Sequence, residues 1–164
     1  MIDATESKAP KYFLPFLGPL YDGLAEYAYP LLRVTLGLFF IPHGWVKIFG
    51  GAYQGTAFFM AMTLGGHTKD QAGEFAGSWI PWAYYIGLLE LVGGVLLVIG
   101  LLTRVVAAQY LVFMIVAWFG VHSGAWFWTN RGAEMPVLLG LLAIVVLIRG
   151  GGALSIDKAL GREF

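Results

Sequence analysis

Four long apolar segments constrain this chain more than any other feature of its sequence. They run from about Tyr27 to Phe49, Trp79 to Leu101, Val105 to Val121 and Met135 to Ile148. A helix needs about 20 mostly apolar residues to cross a bilayer. Strands of a membrane barrel would alternate apolar and polar residues, and LLELVGGVLLVIGLL shows no such alternation. The sequence therefore predicts an all-α integral membrane four-helix bundle.

The composition argues against most other classes of protein. Hydrophobic residues make up 59% of the 164 and charged residues only 12%, with a formal net charge of zero. A soluble domain of this size must cover its surface with polar groups, and this chain has too few. No basic run points to nucleic acid. With no cysteine and no nucleotide-binding motif, the sequence carries no haem, flavin, iron–sulfur or nucleotide signature.

The charged residues between the spans predict the orientation in the membrane. Four crossings place both chain ends on one side, which would carry six basic residues: Lys8, Lys11, Arg104, Arg149, Lys158 and Arg162. The other side would carry three: Lys47, Lys69 and Arg131. The positive-inside rule then places both ends in the cytoplasm. We accordingly divide the chain into a cytoplasmic tail (1–26), a membrane domain (27–149) and a second cytoplasmic tail (150–164).

A long first outer loop and all the tryptophans are predicted on the opposite side. The segment from Gly50 to Ser78 contains the apolar pieces FFMAM and GEFAGSWIPW. Such pieces indicate a short interfacial helix, a lid over the bundle, or a loop resting on lipid headgroups. Tryptophans gather at membrane interfaces, and clustering on one side also suits a partner surface. The six are Trp45, Trp79, Trp82, Trp118, Trp126 and Trp128.

Glu90 is the most informative polar residue, because it falls in the middle of the second apolar segment. It lies about 12 Å from Trp82 and about 16 Å from Leu101 along a helix. A carboxylate at that depth must be protonated or paired with a cation. Gly87 and Gly94, at i−3 and i+4, share its face and would let a neighbouring helix approach closely. The pair could serve proton transfer or simply hold two helices together.

The first segment supplies the candidate cations. Arg33, Gly37, Phe40, Gly44 and Lys47 form one stripe, which predicts a face turned toward protein rather than lipid. Either cation of the stripe could pair with the buried glutamate, and either could instead reach the interface with its long side chain.

A histidine beside Lys47 suggests a ligand site. His43 and Lys47 are spaced i, i+4 and are therefore neighbours on one helix face. Pro42 precedes the histidine and predicts a kink. Both side chains can donate to a carbonyl oxygen. Capping by His43 and exposure of Lys47 at the interface would explain the same pattern.

Three more charged or titratable residues complete the candidate set. Arg104 begins the third segment, His122 follows it, and Glu134 opens the fourth just before Pro136. An acid and a proline at a helix start are ordinary features of an N-terminus. The short fourth segment could instead draw Glu134 toward His122 and Lys47. The spacing is not that of a metal site, so we predict no metal.

The same residues carry a family resemblance. The matching pieces are RVTLGLFFIPHGWVKIFGG (33–51), ELVGGVLLVIGLLTR (90–104) and GGGALSIDKAL (150–160). Together they resemble the DoxX family of small four-helix bacterial membrane proteins, over roughly residues 27–160. The resemblance implies a bacterial inner membrane, and it implies quinone-linked redox work or assembly of a redox complex. Related proteins include the membrane subunit of a thiosulfate:quinone oxidoreductase.

Three functions are consistent with these observations. The first is a membrane subunit that binds a quinone non-covalently and works with a membrane or periplasmic redox partner. The second is a structural accessory subunit of a larger complex. The third is a small-solute or proton transporter, which at this length would require a homo-oligomer. Donors for a quinone oxygen would be Arg33, His43 and Lys47, and Glu90 or Glu134 would handle protons.

Overall fold

The computed structural model describes residues 12–163, and the regular elements within that range are all helical. The helices are α1 (Gly18–Ile48), α2 (Tyr53–Thr63), α3 (Lys69–Leu88), α4 (Gly94–Ile99), α5 (Thr103–Val116), α6 (Glu134–Arg149) and α7 (Ile156–Ala159). A π-helical turn, Leu89–Gly93, joins α3 to α4, and a second, Ala117–Val121, extends α5. Short 3₁₀ turns cover Pro15–Leu17 and Trp128–Asn130. Residues 1–11 of the predicted N-terminal tail lie outside the described residues.

Within residues 12–163, three continuous helices are long and apolar enough to cross a membrane. They are Pro15–Ile48, Lys69–Ile99 and Thr103–Val121. The fourth predicted span corresponds to α6, which has 16 residues and is therefore about 24 Å long. That is shorter than the roughly 30 Å hydrocarbon core of a typical bilayer. Helix α6 packs against α5, so it belongs to the bundle, while its crossing of the membrane stays a prediction.

The segment from Gly50 to Ser78 is not a long loop, although the short helix that was one interpretation of its apolar piece FFMAM is present. Residues 53–63 form α2, which contains FFMAM, and α3 already begins at Lys69, so only short connections remain. Thr68 and Gln71 form a capping box that starts α3, in which each side chain satisfies a backbone amide of the other. Polar residues in the first turns of α3 concealed this start, because they break the apolar run without breaking the helix.

Helix α1 also begins earlier than predicted. It starts at Gly18, with Pro19 in its first turn, a position where the missing proline amide costs nothing. Residues 18–26, predicted as tail, are therefore helical. The other predicted starts and ends lie close to those observed.

Close contact between α1 and the α3–α4 helix depends on two pairs of glycines. A Cβ added at Gly37 would lie 2.5 Å from the carbonyl oxygen of Gly94. One added at Gly44 would lie 2.7 Å from the carbonyl oxygen of Gly87. The helices thus touch backbone to backbone, as small residues allow in membranes. Because the later glycine of α1 meets the earlier glycine of its partner, the two helices are antiparallel.

At the end of the bundle near the C-terminus, Arg33 holds the final segment of the chain. Its guanidinium donates to the carbonyl oxygens of Gly151 and Leu154, the second at 2.6 Å. The side chain is almost completely buried, with 1% of its surface exposed. Arg33 therefore holds residues after α6 against α1, and it lines none of the three cavities described below.

Asp157 completes this attachment by binding the start of α5. Its two carboxylate oxygens accept hydrogen bonds from the backbone amides of Leu102 and Thr103, each at 2.9 Å. A carboxylate at a helix N-terminus satisfies amides that have no partner within the helix and is favoured by the helix dipole. The aspartate of the matching piece GGGALSIDKAL therefore has a structural explanation, because it caps α5, a helix about 55 residues earlier in the chain.

Candidate functional site

The centre of the candidate site is an ion pair between α1 and the π-helical turn. Lys47 Nζ lies 2.6 Å from Glu90 Oε2. Glu90 is buried, with 3% of its surface exposed, and Lys47 is half-buried. The contact of Gly44 with Gly87 sets the register that brings the lysine beside the glutamate. The structure thus selects Lys47, and not Arg33, as the partner of Glu90.

The backbone that carries Glu90 is irregular. It lies in the π-helical turn Leu89–Gly93, which occurs within a long helix, and such turns are frequent at functional sites. Tyr110 of α5 donates its buried hydroxyl to the carbonyl oxygens of Leu89 and Glu90, both at 3.2 Å. The tyrosine therefore supplies a hydrogen-bond donor at the turn and connects the backbone of Glu90 to α5, while its ring packs against Phe40 of α1.

A cavity of about 490 Å³ opens beside the ion pair, and we call it the His122 cavity. Two side chains that can carry a positive charge line it, Lys47 and His122, and the Thr56 hydroxyl also lines it but donates to the carbonyl oxygen of Ala52. The remaining lining residues are mostly apolar. They come from α2 and the residues that flank it, from α3, and from α5 with its π-helical extension: Ala52, Gly55, Phe59, Met60, Leu64, Ile86, Phe113, Val116, Ala117 and Val121. Apolar walls with a few placed polar groups are typical of a small-molecule site.

His122 is held by the loop that follows it. Its Nδ1 lies 2.5 Å from the carbonyl oxygen of Arg131. A carbonyl can only accept, so Nδ1 carries a proton and donates it. The second ring nitrogen, Nε2, can then accept a hydrogen bond, or donate one when the ring is protonated. Sequence spacing alone did not place His122 near Lys47, because the two residues lie on different helices.

A second cavity of about 510 Å³ continues from the first, and we call it the Trp79 cavity. The two share Met60, Leu64, Ile86, Phe113 and Val116. The polar groups that line the Trp79 cavity include Tyr85 and Gln109, and the tyrosine hydroxyl donates to Gln109 Oε1 at 2.8 Å. This pair is already satisfied, so the cavity offers mainly apolar surface.

A third cavity, of about 420 Å³, lies between α1 and the start of α2, and we call it the His43 cavity. It is lined by Pro42, His43, Val46, Lys47, Ala52 and Thr56. Lys47, Ala52 and Thr56 also line the His122 cavity. The structure therefore places His43 and His122 in different cavities, with the lysine common to both.

The remaining predicted site residues lie elsewhere. Arg104 contacts Glu163, with Nε 3.6 Å from Oε2, at the same end of the bundle as Arg33. Glu134 Oε2 accepts a hydrogen bond from the backbone amide of Trp128 at 3.1 Å, so it stabilises the loop before α6. Neither residue lines any of the three cavities.

The tryptophans do not form one group. Trp79 and Trp82 line the Trp79 cavity. Five of the six are more than a third exposed: Trp45, Trp82, Trp118, Trp126 and Trp128. Sequence reasoning treated all six as interfacial or partner-contacting and did not predict that Trp79 and Trp82 line this cavity. It also missed Tyr110, whose hydroxyl gave no sequence signal because its acceptors belong to another helix.

Long apolar helices packed around a buried ion pair define a helical integral membrane protein. The sequence pattern of the DoxX family matches residues 29–123, more than half of the chain. The chain belongs to the DoxX family. The matched region contains Lys47, Glu90 and His122, and it ends before α6.

Two relatives align over most of their length. An uncharacterised protein of Haemophilus influenzae is 30% identical over 136 residues, covering 80% of this chain and 90% of the relative. The Bacillus subtilis protein named "Putative oxidoreductase CatD" is 34% identical over 129 residues, covering 77% and 82%. No solved structure matches this chain.

Proposed function

We propose that this protein is the membrane subunit of a quinone-linked redox complex and that it binds the quinone ring in the His122 cavity. The observation that carries the proposal is the presence of Lys47, a donor, and of His122, which can donate from Nε2 when its ring is protonated, in one mostly apolar cavity. Quinone oxygens accept hydrogen bonds, and the ring needs apolar walls. The adjoining Trp79 cavity would take the apolar chain of the quinone. The oxidoreductase name of the Bacillus subtilis relative supports the same class of chemistry.

Electrons would come from a partner protein. The sequence has no cysteine and no haem, flavin or nucleotide signature, so this chain would bind and protonate the quinone while a partner holds the redox centre. Purification from native membranes, with mass spectrometry of every bound chain and lipid, tests this. A redox partner with stoichiometric quinone supports the proposal. A partner complex without quinone favours an accessory subunit instead, for which the exposed aromatic residues Trp126, Phe127 and Trp128 would supply contact surface.

We further place the protein in the bacterial inner membrane with both ends in the cytoplasm and α6 as the fourth crossing. The side that holds both chain ends would carry six basic residues and the other side three, and this excess supports the orientation. Because the chain has no cysteine, single cysteines can be introduced without background. In intact cells, an impermeant maleimide should label Ser123→Cys and should leave Lys158→Cys unlabelled until the membrane is opened.

Filling the shared wall of the two cavities should block quinone binding. Val116 lines both the His122 and Trp79 cavities, so Val116→Phe should weaken binding of decylubiquinone to the purified protein at least ten-fold. Val145→Phe, on a half-exposed position of α6, is the matched control and should leave affinity unchanged. Calorimetric titration in detergent measures both. Absence of binding to the unmodified protein, or equal loss in both variants, would contradict the proposed site.

A further inference from the structure

Lys47 can be approached from two sides. The His122 cavity reaches it from within the bundle, and the His43 cavity reaches it from between α1 and α2. Ala52 and Thr56, which line both cavities, lie at the start of α2. The two cavities therefore meet at Lys47 beneath the first turn of α2, and the lysine lies between a proposed ligand and a second opening.

Reduction of a quinone bound in the His122 cavity would change the net charge of the Lys47–Glu90 ion pair. A quinone that receives two electrons from the redox partner must also bind two protons to become a quinol. Lys47 can donate a proton from Nζ to a reduced quinone oxygen, which leaves a neutral amine beside the Glu90 carboxylate. The pair then carries one net negative charge in apolar surroundings, which is costly. The Lys47–Glu90 pair must then take up a proton to become neutral again. It must take up another after it has donated the second proton to the quinone.

Among the residues that the structure describes, the titratable groups that line the two cavities or contact the ion pair leave His43 as the candidate source of that proton. On the side of α3, Glu90 is the partner itself. On the side of α5, Tyr110 donates to two backbone carbonyls. His122, after the π-helical extension of α5, lies on the proposed quinone side. His43 lies on the other side, one helical turn before Lys47, with an exposed side chain.

We propose that His43 relays protons through the His43 cavity to Lys47, an inference that rests on the proposed function. Imidazole is suited to this task because it gains and loses a proton near neutral pH. Residues at i and i+4 are neighbours on a helix, and both side chains line the His43 cavity, so His43 and Lys47 can exchange a proton through water in that cavity. The Phe39 ring centroid lies 5.3 Å from that of the imidazole, with an angle of 31° between the ring planes.

The test measures proton uptake on the purified protein loaded with decylubiquinone. The quinone is reduced electrochemically through a soluble mediator, and a pH-sensitive dye records the rate of uptake between pH 6 and pH 9. In His43→Ala we expect uptake at pH 8 to slow at least ten-fold, with quinone affinity within two-fold of the unmodified protein. Added imidazole should restore the rate, because it can occupy the space left by the side chain.

Two further variants keep the test specific. His67→Ala removes a histidine that stacks on Phe75 and lines none of the three cavities, so uptake should not change. Val46→Phe should narrow the His43 cavity with His43 intact, because Val46 lines that cavity and not the His122 cavity, and it should slow uptake in a way that imidazole does not restore.

The results separate the relay from the quinone site itself. Unchanged uptake in His43→Ala, with normal quinone binding, would overturn the relay and leave the proposed function intact. Slowed uptake that imidazole does not restore would assign His43 a structural role and would also overturn the relay. Absence of quinone binding to the unmodified protein would remove the proposed function first, and the relay with it.

Discussion

Glu90→Met should destabilise the folded protein by about 3 kcal/mol, the lower end of the usual cost of removing one partner from a buried ion pair. The substitution leaves the ammonium of Lys47 beside apolar surface without its carboxylate. Lys47 is only half-buried, which gives it partial access to water and keeps the effect near that lower end. Reversible unfolding in mixed micelles measures the change.

Adding Lys47→Met to Glu90→Met should recover most of that stability. Replacing a whole buried pair by apolar side chains of similar size is often neutral or stabilising. The double variant should nevertheless bind decylubiquinone at least ten-fold more weakly, because it lacks the donor that the quinone oxygen requires. A double variant that folds and binds quinone normally would mean that the pair only tethers the helices. One that remains as unstable as Glu90→Met would mean that the stranded charge is not the source of the loss.

Arg33→Met should have an effect of similar size for a different reason. The buried carbonyl oxygens of Gly151 and Leu154 lose a charged donor, and each hydrogen bond to a charged group contributes about 1.5–3 kcal/mol. We expect unfolding at lower denaturant and faster trypsin cleavage after Lys158, since the final segment is no longer held against α1.

A conservative change and a neighbouring one control this prediction. Arg33→Lys keeps the charge but lacks the planar fork that reaches two carbonyls, so it should restore only part of the stability. Leu31→Met changes an exposed apolar position of the same helix and should have little effect. If the Arg33→Met variant is cleaved by trypsin and unfolds like the unmodified protein, the attachment of the C-terminal segment does not depend on this side chain.

Local sequence pattern predicted much of this fold because bilayer thickness demands long apolar helices. It also predicted the glycine faces of α1 and α3–α4, because residues at i, i+3 and i+4 share a helix face whatever the rest of the chain does. It failed over residues 64–78, where polar residues hide the start of α3. It also gave no sign of the π-helical turn at Glu90, which depends on how the long helix packs against α1 and α5.

The candidate site, too, was predicted from the sequence only in part. The depth of Glu90 in an apolar segment indicated that it is protonated or paired with a cation, and both Arg33 and Lys47, which lie on one stripe, could have been that cation. The choice depends on the register between two helices, which the contact of Gly44 with Gly87 sets. Arg33 meets backbone carbonyls at the other end instead.

By itself, the sequence determined that this is a helical membrane protein with a buried carboxylate facing glycine-lined helices. Only the tertiary structure decided which cation the carboxylate meets, that His122 shares a cavity with Lys47, and that His43 lies in a separate one. The physical reason is that apolarity and periodicity fix each helix and its inward face. The relative height and rotation of the helices come from packing between residues far apart in the chain.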